Sequence, residues 1–147
     1  MAKAKLEIKN RFVLDCSVTM TWLFADEQSE YGDKVAASLI DSRPIVPPLW
    51  FYEVINCITV GERRRRIHQV QSLAFLRTIS DLAIDVDCRV PHDLLFSLTE
   101  FARISGLTSY DAAYLELANR LGTPLATLDK DLRDAAVKLG VSIYEPA

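Results

Sequence analysis

The chain has 147 residues and a formal net charge of −3; half of its residues are hydrophobic and a quarter are charged. This length corresponds to about one ordinary domain, which can bury a core without metal or disulfide staples. The composition excludes a disordered, collagen-like or coiled-coil chain. The acidic balance excludes a uniformly basic nucleic-acid-binding surface, so RNA binding would need a local basic patch or a metal.

The cysteines and the chain start indicate the cellular compartment. Cys16, Cys57 and Cys88 are odd in number and widely spaced, so we expect reduced thiols in a cytoplasmic protein. The start is basic but lacks the apolar core of a signal peptide. No stretch approaches the roughly 20 apolar residues of a membrane span. We expect residues 1–10 to be a leader, residues 11–147 to be a single domain, and no membrane to be a partner.

Apolar runs and helix-capping residues alternate in the first half of the chain. Residues 12–14 and 45–46 are short apolar runs typical of buried strands. Ser17 opens a short helix, and Ser29 caps a second helix whose apolar residues repeat at helical spacing. Pro48 begins a third helix, because proline lacks the N–H that the first helical turn leaves unpaired.

The second half continues this alternation. Its predicted strands are residues 84–86, 125–128 and 141–144. Its predicted helices are residues 70–76, 91–105, 108–121 and 132–139, and glycine follows three of them. Strands that alternate with helices predict an α/β fold with a largely parallel sheet.

Four acidic residues lie where predicted strands end or where the following helices begin. Asp15 and Asp129 follow strands, whereas Glu53 and Asp111 lie in the early turns of helices. In right-handed βαβ units, the carboxyl end of a strand and the amino end of the next helix share one edge of the sheet. We therefore expect these carboxylates to converge on the edge where open α/β sheets bind ligands.

Such convergence needs a compensating charge. Two unit charges about 4 Å apart repel by roughly 4 kcal/mol at an effective dielectric near 20, and a helix N-terminus offsets only about 0.3–1 kcal/mol. Clustered acids therefore share protons or hold a cation. Oxygen-only ligands favour Mg²⁺ or Mn²⁺ over Zn²⁺. Any one of these acids alone could equally be a cap or turn residue, although Glu53 interrupts an otherwise apolar stretch.

Four segments that contain these acids resemble a PIN domain, in particular the VapC-like toxins of bacterial toxin–antitoxin pairs. In the family's order they are residues 13–17, 48–56, 107–115 and 124–132. The resemblance implies a three-layer α/β/α fold around a central, mainly parallel sheet. It also implies a Mg²⁺-dependent (or Mn²⁺-dependent) endoribonuclease that acts as a toxin, with RNA as substrate, a cognate antitoxin as partner and a homodimer as its assembly.

The resemblance also assigns roles to individual residues. The family's catalytic and metal-binding acids correspond to Asp15, Glu53, Asp111 and Asp129. Ser17 and Thr127 correspond to small hydroxyl residues that support the acidic site. Asp131 is a second acid near the end of the fourth segment, so either Asp129 or Asp131 fills the fourth position.

Basic and aromatic runs leave two alternatives each. The dense basic run consists of Arg63, Arg64, Arg65 and Arg66. It is either a solvated helix end, whose charges suit the helix dipole, or a contact for RNA phosphates. The aromatic run at residues 50–52 either stacks RNA bases or packs in the core or a dimer interface, and we favour the interface. Tyr110 and Tyr114 are predicted to lie in the core.

Other functions remain open at this stage. A haloacid-dehalogenase-like phosphatase also has an Asp after its first strand, but it needs a second Asp where this chain has Ser17. A receiver-type signalling domain needs paired acids and a lysine that the pattern lacks. A PIN nuclease of RNA processing, or an inactive relative that binds RNA or protein, would keep the fold without the toxin role.

Overall fold

A parallel sheet forms the centre of the protein. The computed structural model describes residues 10–89 and 91–147, apart from the side chain of Pro91. The strands are β1 (Asn10–Leu14), β2 (Ser42–Val46), β3 (Asp85–Val86) and β4 (Leu125–Ala126). All pairings are parallel, in the order β3-β2-β1-β4, so the predicted α/β fold with a parallel sheet is confirmed.

Helices connect the strands and flank the sheet. They are α1 (Cys16–Thr21), α2 (Glu30–Ser38), α3 (Leu49–Arg63), α4 (Gln69–Asp81), α5 (Pro91–Ser105), α6 (Ser109–Leu121) and α7 (Lys130–Lys138), with a 3₁₀ turn at Ala25–Glu27. The predicted capping residues are in place: the Ser29 side chain accepts from the Gly32 amide, and the Thr108 side chain accepts from the Asp111 amide. Gly122 ends α6 at a φ of 61°, which a residue with a Cβ rarely adopts.

The core is built around β1. Phe12, Val13 and Leu14 are all fully buried. Successive side chains of a strand point to opposite faces, so protein covers both faces of this strand. Such coverage is expected of a parallel sheet between two layers of helices. Trp50 of α3 is also fully buried, and its indole N–H donates to the Thr19 hydroxyl over 3.2 Å.

The pairing of β1 with β4 brings two parts of the site together. Val13 is opposite Leu125 and Leu14 is opposite Ala126. The next residue of each strand is therefore Asp15 on one side and Thr127 on the other. The Asp15 amide donates to the Ala126 carbonyl over 3.0 Å, which continues the ladder by one bond beyond the last paired residues.

Two predicted strands are shorter than expected. The strand predicted at residues 125–128 stops at Ala126. The amides of Leu128 and Asp129 bond to hydroxyls instead of a neighbouring strand: Leu128 donates to Ser17 Oγ and Asp129 to Thr127 Oγ1, each over 3.0 Å. The strand predicted at residues 141–144 is reduced to one bridge between Leu125 and Ile143.

The predicted leader covers residues 1–10. Residues 1–9 lie outside the described part of the chain, and Asn10 already belongs to β1. Within residues 10–89 and 91–147, no helix is both long and apolar enough to cross a bilayer. Cys16, Cys57 and Cys88 form no disulfide in the structure.

Candidate active site

Asp15 lies at the carboxyl end of β1 and precedes the first turn of α1. It is only 5% exposed, so its carboxylate needs hydrogen bonds from the protein. Its Oδ2 accepts from Ser17 Oγ over 2.6 Å and from Thr127 Oγ1 over 2.7 Å. Two hydroxyls, one from α1 and one after β4, therefore hold a single oxygen of this acid.

The same hydroxyls also fix the loop between β4 and α7. Ser17 Oγ accepts from the Leu128 amide and Thr127 Oγ1 accepts from the Asp129 amide. Each hydroxyl therefore donates to Asp15 and accepts from the loop. This network connects the backbone of Asp129 to the carboxylate of Asp15, although the two residues are 114 positions apart in the sequence.

Glu53 comes from the second turn of α3 and is half-buried. The phenol of Tyr114, a fully buried residue of α6, donates a short hydrogen bond to Glu53 Oε1. Burial, followed by this hydrogen bond, raises the pKa of Tyr114 well above its usual range. The phenol therefore stays protonated and remains a donor at physiological pH.

The remaining acids lie on α6 and α7. Asp111 occupies the first turn of α6 and is partly buried. Asp129 caps α7, because its Oδ1 accepts from the Leu132 amide over 2.8 Å. Asp131 is the second residue of α7, in its first turn, and it is exposed, as Asp129 is. Asp129 is therefore a helix cap, as a single acid after a strand can be, but the cap uses only one of its two carboxylate oxygens.

The charges of these acids act on one another. Burial raises the pKa of Asp15; the hydrogen bonds from Ser17 and Thr127 oppose this rise, and the charges of Asp111 and Asp129 add to it. The net shift is upward in spite of two hydroxyl donors. Asp15 is therefore a desolvated carboxylate with two other acids close enough to disfavour its ionised form.

Glu53 and Asp111 are shifted in the same direction. Burial raises the pKa of Glu53, against the lowering effect of the Tyr114 hydrogen bond, and the charges of Asp15 and Asp111 raise it further. Burial raises the pKa of Asp111 as well, and the charge of Asp129 is the next contribution. Asp15, Glu53, Asp111 and Asp129 therefore form one electrostatically connected group, as their positions at strand ends and helix starts predict.

No cation of the described residues forms an ion pair with this group. None of the ion pairs formed within residues 10–89 and 91–147 includes Asp15, Glu53, Asp111 or Asp129. Nor, in these ranges, does any set of three or more His, Cys, Asp or Glu side chains have the geometry of a metal site. The acids are thus neighbours, but their side chains do not form a closed cage.

Each hydrogen-bonded acid uses only one of its two oxygens. The protein donors go to Asp15 Oδ2, Glu53 Oε1 and Asp129 Oδ1. Among the described residues, no donor is placed on the second oxygen of any of these carboxylates. An oxygen that is unbonded on an otherwise fixed carboxylate is available to a cation or to water.

One cavity is lined by acidic residues of this region, and a second, apolar one lies next to it. The first is a cleft of about 400 Å³ lined by Asp111, Asp131 and Asp134 together with Thr108 and Lys138. An apolar groove of about 640 Å³ runs along α5, and Ser109 at the start of α6 lines its end. Because Thr108 and Ser109 are consecutive, the apolar groove adjoins the acidic cleft.

Comparison with known proteins assigns the family. A family model described as PIN domain matches residues 12–138. The chain belongs to the PIN domain family. The match spans all four of the sequence segments on which the resemblance rests.

Relatives of this PIN domain agree in fold. Ribonuclease VapC3 from Pyrobaculum aerophilum is 25% identical over 124 residues, which cover 84% of this chain and 93% of that protein. The crystal structure of PAE2754 from Pyrobaculum aerophilum matches with a TM-score of 0.64 and 22% identity, over 90% of this chain and 83% of that one. The VapC-like resemblance is therefore confirmed.

The tyrosine predictions for this PIN domain were partly wrong. Tyr110 is 66% exposed because it is the second residue of α6, at the very end of the helix, although it shares a helix face with the buried Tyr114 four residues later. Tyr114 lies in the core as predicted, but the prediction missed its hydrogen bond to Glu53. The available signal was spacing: Tyr114 follows Asp111 by three residues and therefore shares its helix face.

The four arginines of the basic run fall into two groups, one paired with acids of the protein and one exposed. Arg66 donates to Asp26 and Glu27 and lies over the Phe24 ring at 4.0 Å from its centroid, so its charge is engaged within the protein. Arg63, Arg64 and Arg65 are exposed at the end of α3. Arg65 has a φ of 57°, which turns the chain away from the helix.

Asp15→Asn is predicted to stabilise the metal-free protein at pH 7. The folded-state pKa of Asp15 is raised above its ordinary value of 3.8, so the unfolded chain gives up this proton more readily. The free energy of unfolding therefore falls as the pH rises from 3.8 through the folded-state pKa of Asp15, because the unfolded chain ionises this carboxyl more easily. Asparagine carries no charge and still accepts hydrogen bonds. We expect its melting temperature in EDTA at pH 7 to exceed that of the wild type by about 2–4 °C, the equivalent of roughly 1 kcal/mol.

The gain should shrink below pH 4, where the wild-type carboxyl is protonated too. Asp134→Asn is the matched control, because Asp134 is exposed and paired with Lys130, so it should bring no gain. A wild type that is more stable than Asp15→Asn at pH 7 in EDTA would contradict the prediction.

Proposed function

We propose that this PIN domain is a divalent-metal-dependent endoribonuclease and that it acts as the toxin of a toxin–antitoxin pair in the cytoplasm. The observation that carries the proposal is the arrangement of Asp15, Glu53 and Asp129, each with one oxygen held by the protein and the other left unbonded. The PIN family match and the similarity to a protein named as a ribonuclease support the same reaction class.

The donor set fits Mg²⁺ or Mn²⁺. All donors are carboxylate oxygens, which hard cations prefer, and no cation of the described residues neutralises them. Mg²⁺ usually keeps several waters and takes only one or two protein carboxylates directly. This agrees with neighbouring acids that do not form a cage. Asp15 and Glu53 would hold the ion, and Asp111 and Asp129 would add their negative charge to its surroundings.

When bound, the ion supplies Lewis-acid stabilisation of the negative charge on the scissile phosphate. The residues of the chain supply orientation and proton transfer. The pKa of Asp111 is raised, and the residue lines an open cleft, so it is suited to orient the attacking water and accept its proton. The hydroxyls of Ser17 and Thr127 keep Asp15 in place during the reaction.

We assign the fourth acidic position to Asp129 rather than Asp131. The charge of Asp129 acts on both Asp15 and Asp111. The charge of Asp131 acts on Asp111 but is not among the causes of the Asp15 shift. The loop of Asp129 is also bonded directly to the Asp15 network through Thr127. Asp131 then serves as an acid at the rim of the cleft.

Two apolar surfaces are suited to the proposed protein partners. Ile55, Leu73 and Leu76 line a groove between α3 and α4 with Tyr52 exposed nearby, and we propose this surface for the homodimer. The apolar groove along α5 adjoins the acidic cleft, so an antitoxin segment placed there would also cover the acids. Light scattering of the purified protein measures the oligomer directly.

Purified wild-type protein is predicted to cut RNA in Mg²⁺ or Mn²⁺ and to lose this activity in excess EDTA. Asp15→Asn should lower the rate by at least about 100-fold, because it removes the charge at the centre of the acidic group. In a bacterial host, induced wild type should arrest growth, and Asp15→Asn should not. Gel analysis of a labelled RNA and growth curves give the two readouts.

Asp33→Asn is the control for cleavage, because Asp33 is exposed on α2 and is not among the residues that line the acidic cleft, so this variant should cut RNA like the wild type. RNA cleavage that persists both in EDTA and in Asp15→Asn would overturn the nuclease proposal. RNA cleavage by the purified protein without growth arrest of the host would overturn only the toxin role. It would favour a PIN nuclease of RNA processing.

Arg63 and Arg64 are predicted to contact RNA phosphates. In the non-cleaving Asp15→Asn background, Arg63→Ala together with Arg64→Ala should flatten the plot of log binding constant against log salt by about 1.4, at about 0.7 per phosphate contact for single strands. Arg66→Ala is the matched control: its cation is held by Asp26 and Glu27, so it should lower the melting temperature and leave the slope unchanged. An unchanged slope in the double variant would favour a merely solvated helix end.

A further inference from the structure

We propose that Tyr114 is a positioning residue that holds Glu53 in its ligand conformation, an inference that rests on the proposed metal-dependent function. The Tyr114 phenol donates to Glu53 Oε1, and among the described residues no donor reaches Oε2. The phenol therefore determines which oxygen faces the site. Tyr114 is fully buried and bonds to Glu53, so it acts through Glu53 and does not itself contact the RNA.

Glu53 needs such an anchor more than Asp15 does. A glutamate side chain has one more rotatable bond than an aspartate, so it loses more freedom when a ligand fixes it. Glu53 is also only half-buried and forms no ion pair within the described residues. Without the phenol, its carboxylate would sample several orientations at the edge of the sheet.

Tyr114 is well placed to be a rigid anchor. It is fully buried among core residues of α6, of which Leu115 and Leu117 are also buried, and a tyrosine ring has only two side-chain torsions. Asp111 lies three residues earlier on the same helix. One helix therefore carries its own acid and fixes the acid of α3, so the positions of Asp111 and Glu53 are set relative to one another.

The hydrogen bonds to Asp15 follow the same pattern as the hydrogen bond to Glu53, which supports this role. There, Ser17 and Thr127 hold one oxygen and leave the other unbonded. At Glu53, a single phenol does the same. Hydroxyl donors of the protein thus present both carboxylates in the same way, which a purely space-filling tyrosine would not require.

The test is Tyr114→Phe, which removes one oxygen and keeps the ring in the core. We expect the dissociation constant for Mn²⁺, measured by titration calorimetry, to rise by about 10–100-fold, the effect typical of losing a hydrogen bond to a metal ligand. Raising the Mn²⁺ concentration should restore most of the RNA cleavage. Tyr144→Phe is the matched control: Tyr144 is 4% exposed, and its phenol bonds to Ser42 at the start of β2, on the opposite edge of the sheet.

A double-variant cycle with Glu53→Ala separates positioning from packing, because alanine leaves the Tyr114 phenol without its acceptor. If Tyr114 acts through Glu53, Tyr114→Phe should change Mn²⁺ affinity by less than twofold in the Glu53→Ala background, whereas any loss from altered packing would persist. Wild-type affinity in a folded Tyr114→Phe would overturn the positioning role and leave the nuclease proposal intact. A wild type that binds no Mn²⁺ and cuts no RNA would overturn both.

Discussion

Carboxylates that are brought together without a cation repel one another, and the arrangement of the sheet edge depends on keeping them together. Asp15 is the central member, because it is buried and the charges of Asp111 and Asp129 both raise its pKa. Its position is maintained by the pairing of β1 with β4, which brings Thr127 to its side. The stability of the remaining core has to offset this repulsion, a trade that is common at functional sites.

Hydroxyl groups connect the fold to the acids. Ser17, Thr127 and Tyr114 each donate to a carboxylate from a different element, namely α1, the loop after β4 and α6. Each takes up one oxygen and leaves the other unbonded. The acids are thereby held by neutral donors that do not cancel their charge, so the group keeps its attraction for a cation.

Much of the fold and the candidate site can be predicted from the order of the residues. Asp15 after an apolar run and Asp111 after a threonine cap follow from strand and cap patterns, and parallel topology then places them on one edge. The end of β4 could not be predicted in this way, because it depends on Ser17 accepting the Leu128 amide from 111 positions away in the sequence. The spacing of Tyr114 from Asp111 indicates a shared helix face, but the hydrogen bond of Tyr114 joins α6 to Glu53 of α3, and no local pattern contains that contact.

The most direct test of the acidic group as a metal site is an anomalous-scattering map from crystals of the wild-type protein soaked in Mn²⁺. We predict a peak bonded to an oxygen of Asp15 and to an oxygen of at least one further acid among Glu53, Asp111 and Asp129. Full Mn²⁺ occupancy elsewhere on the protein, with no peak in contact with Asp15, would contradict the central claim.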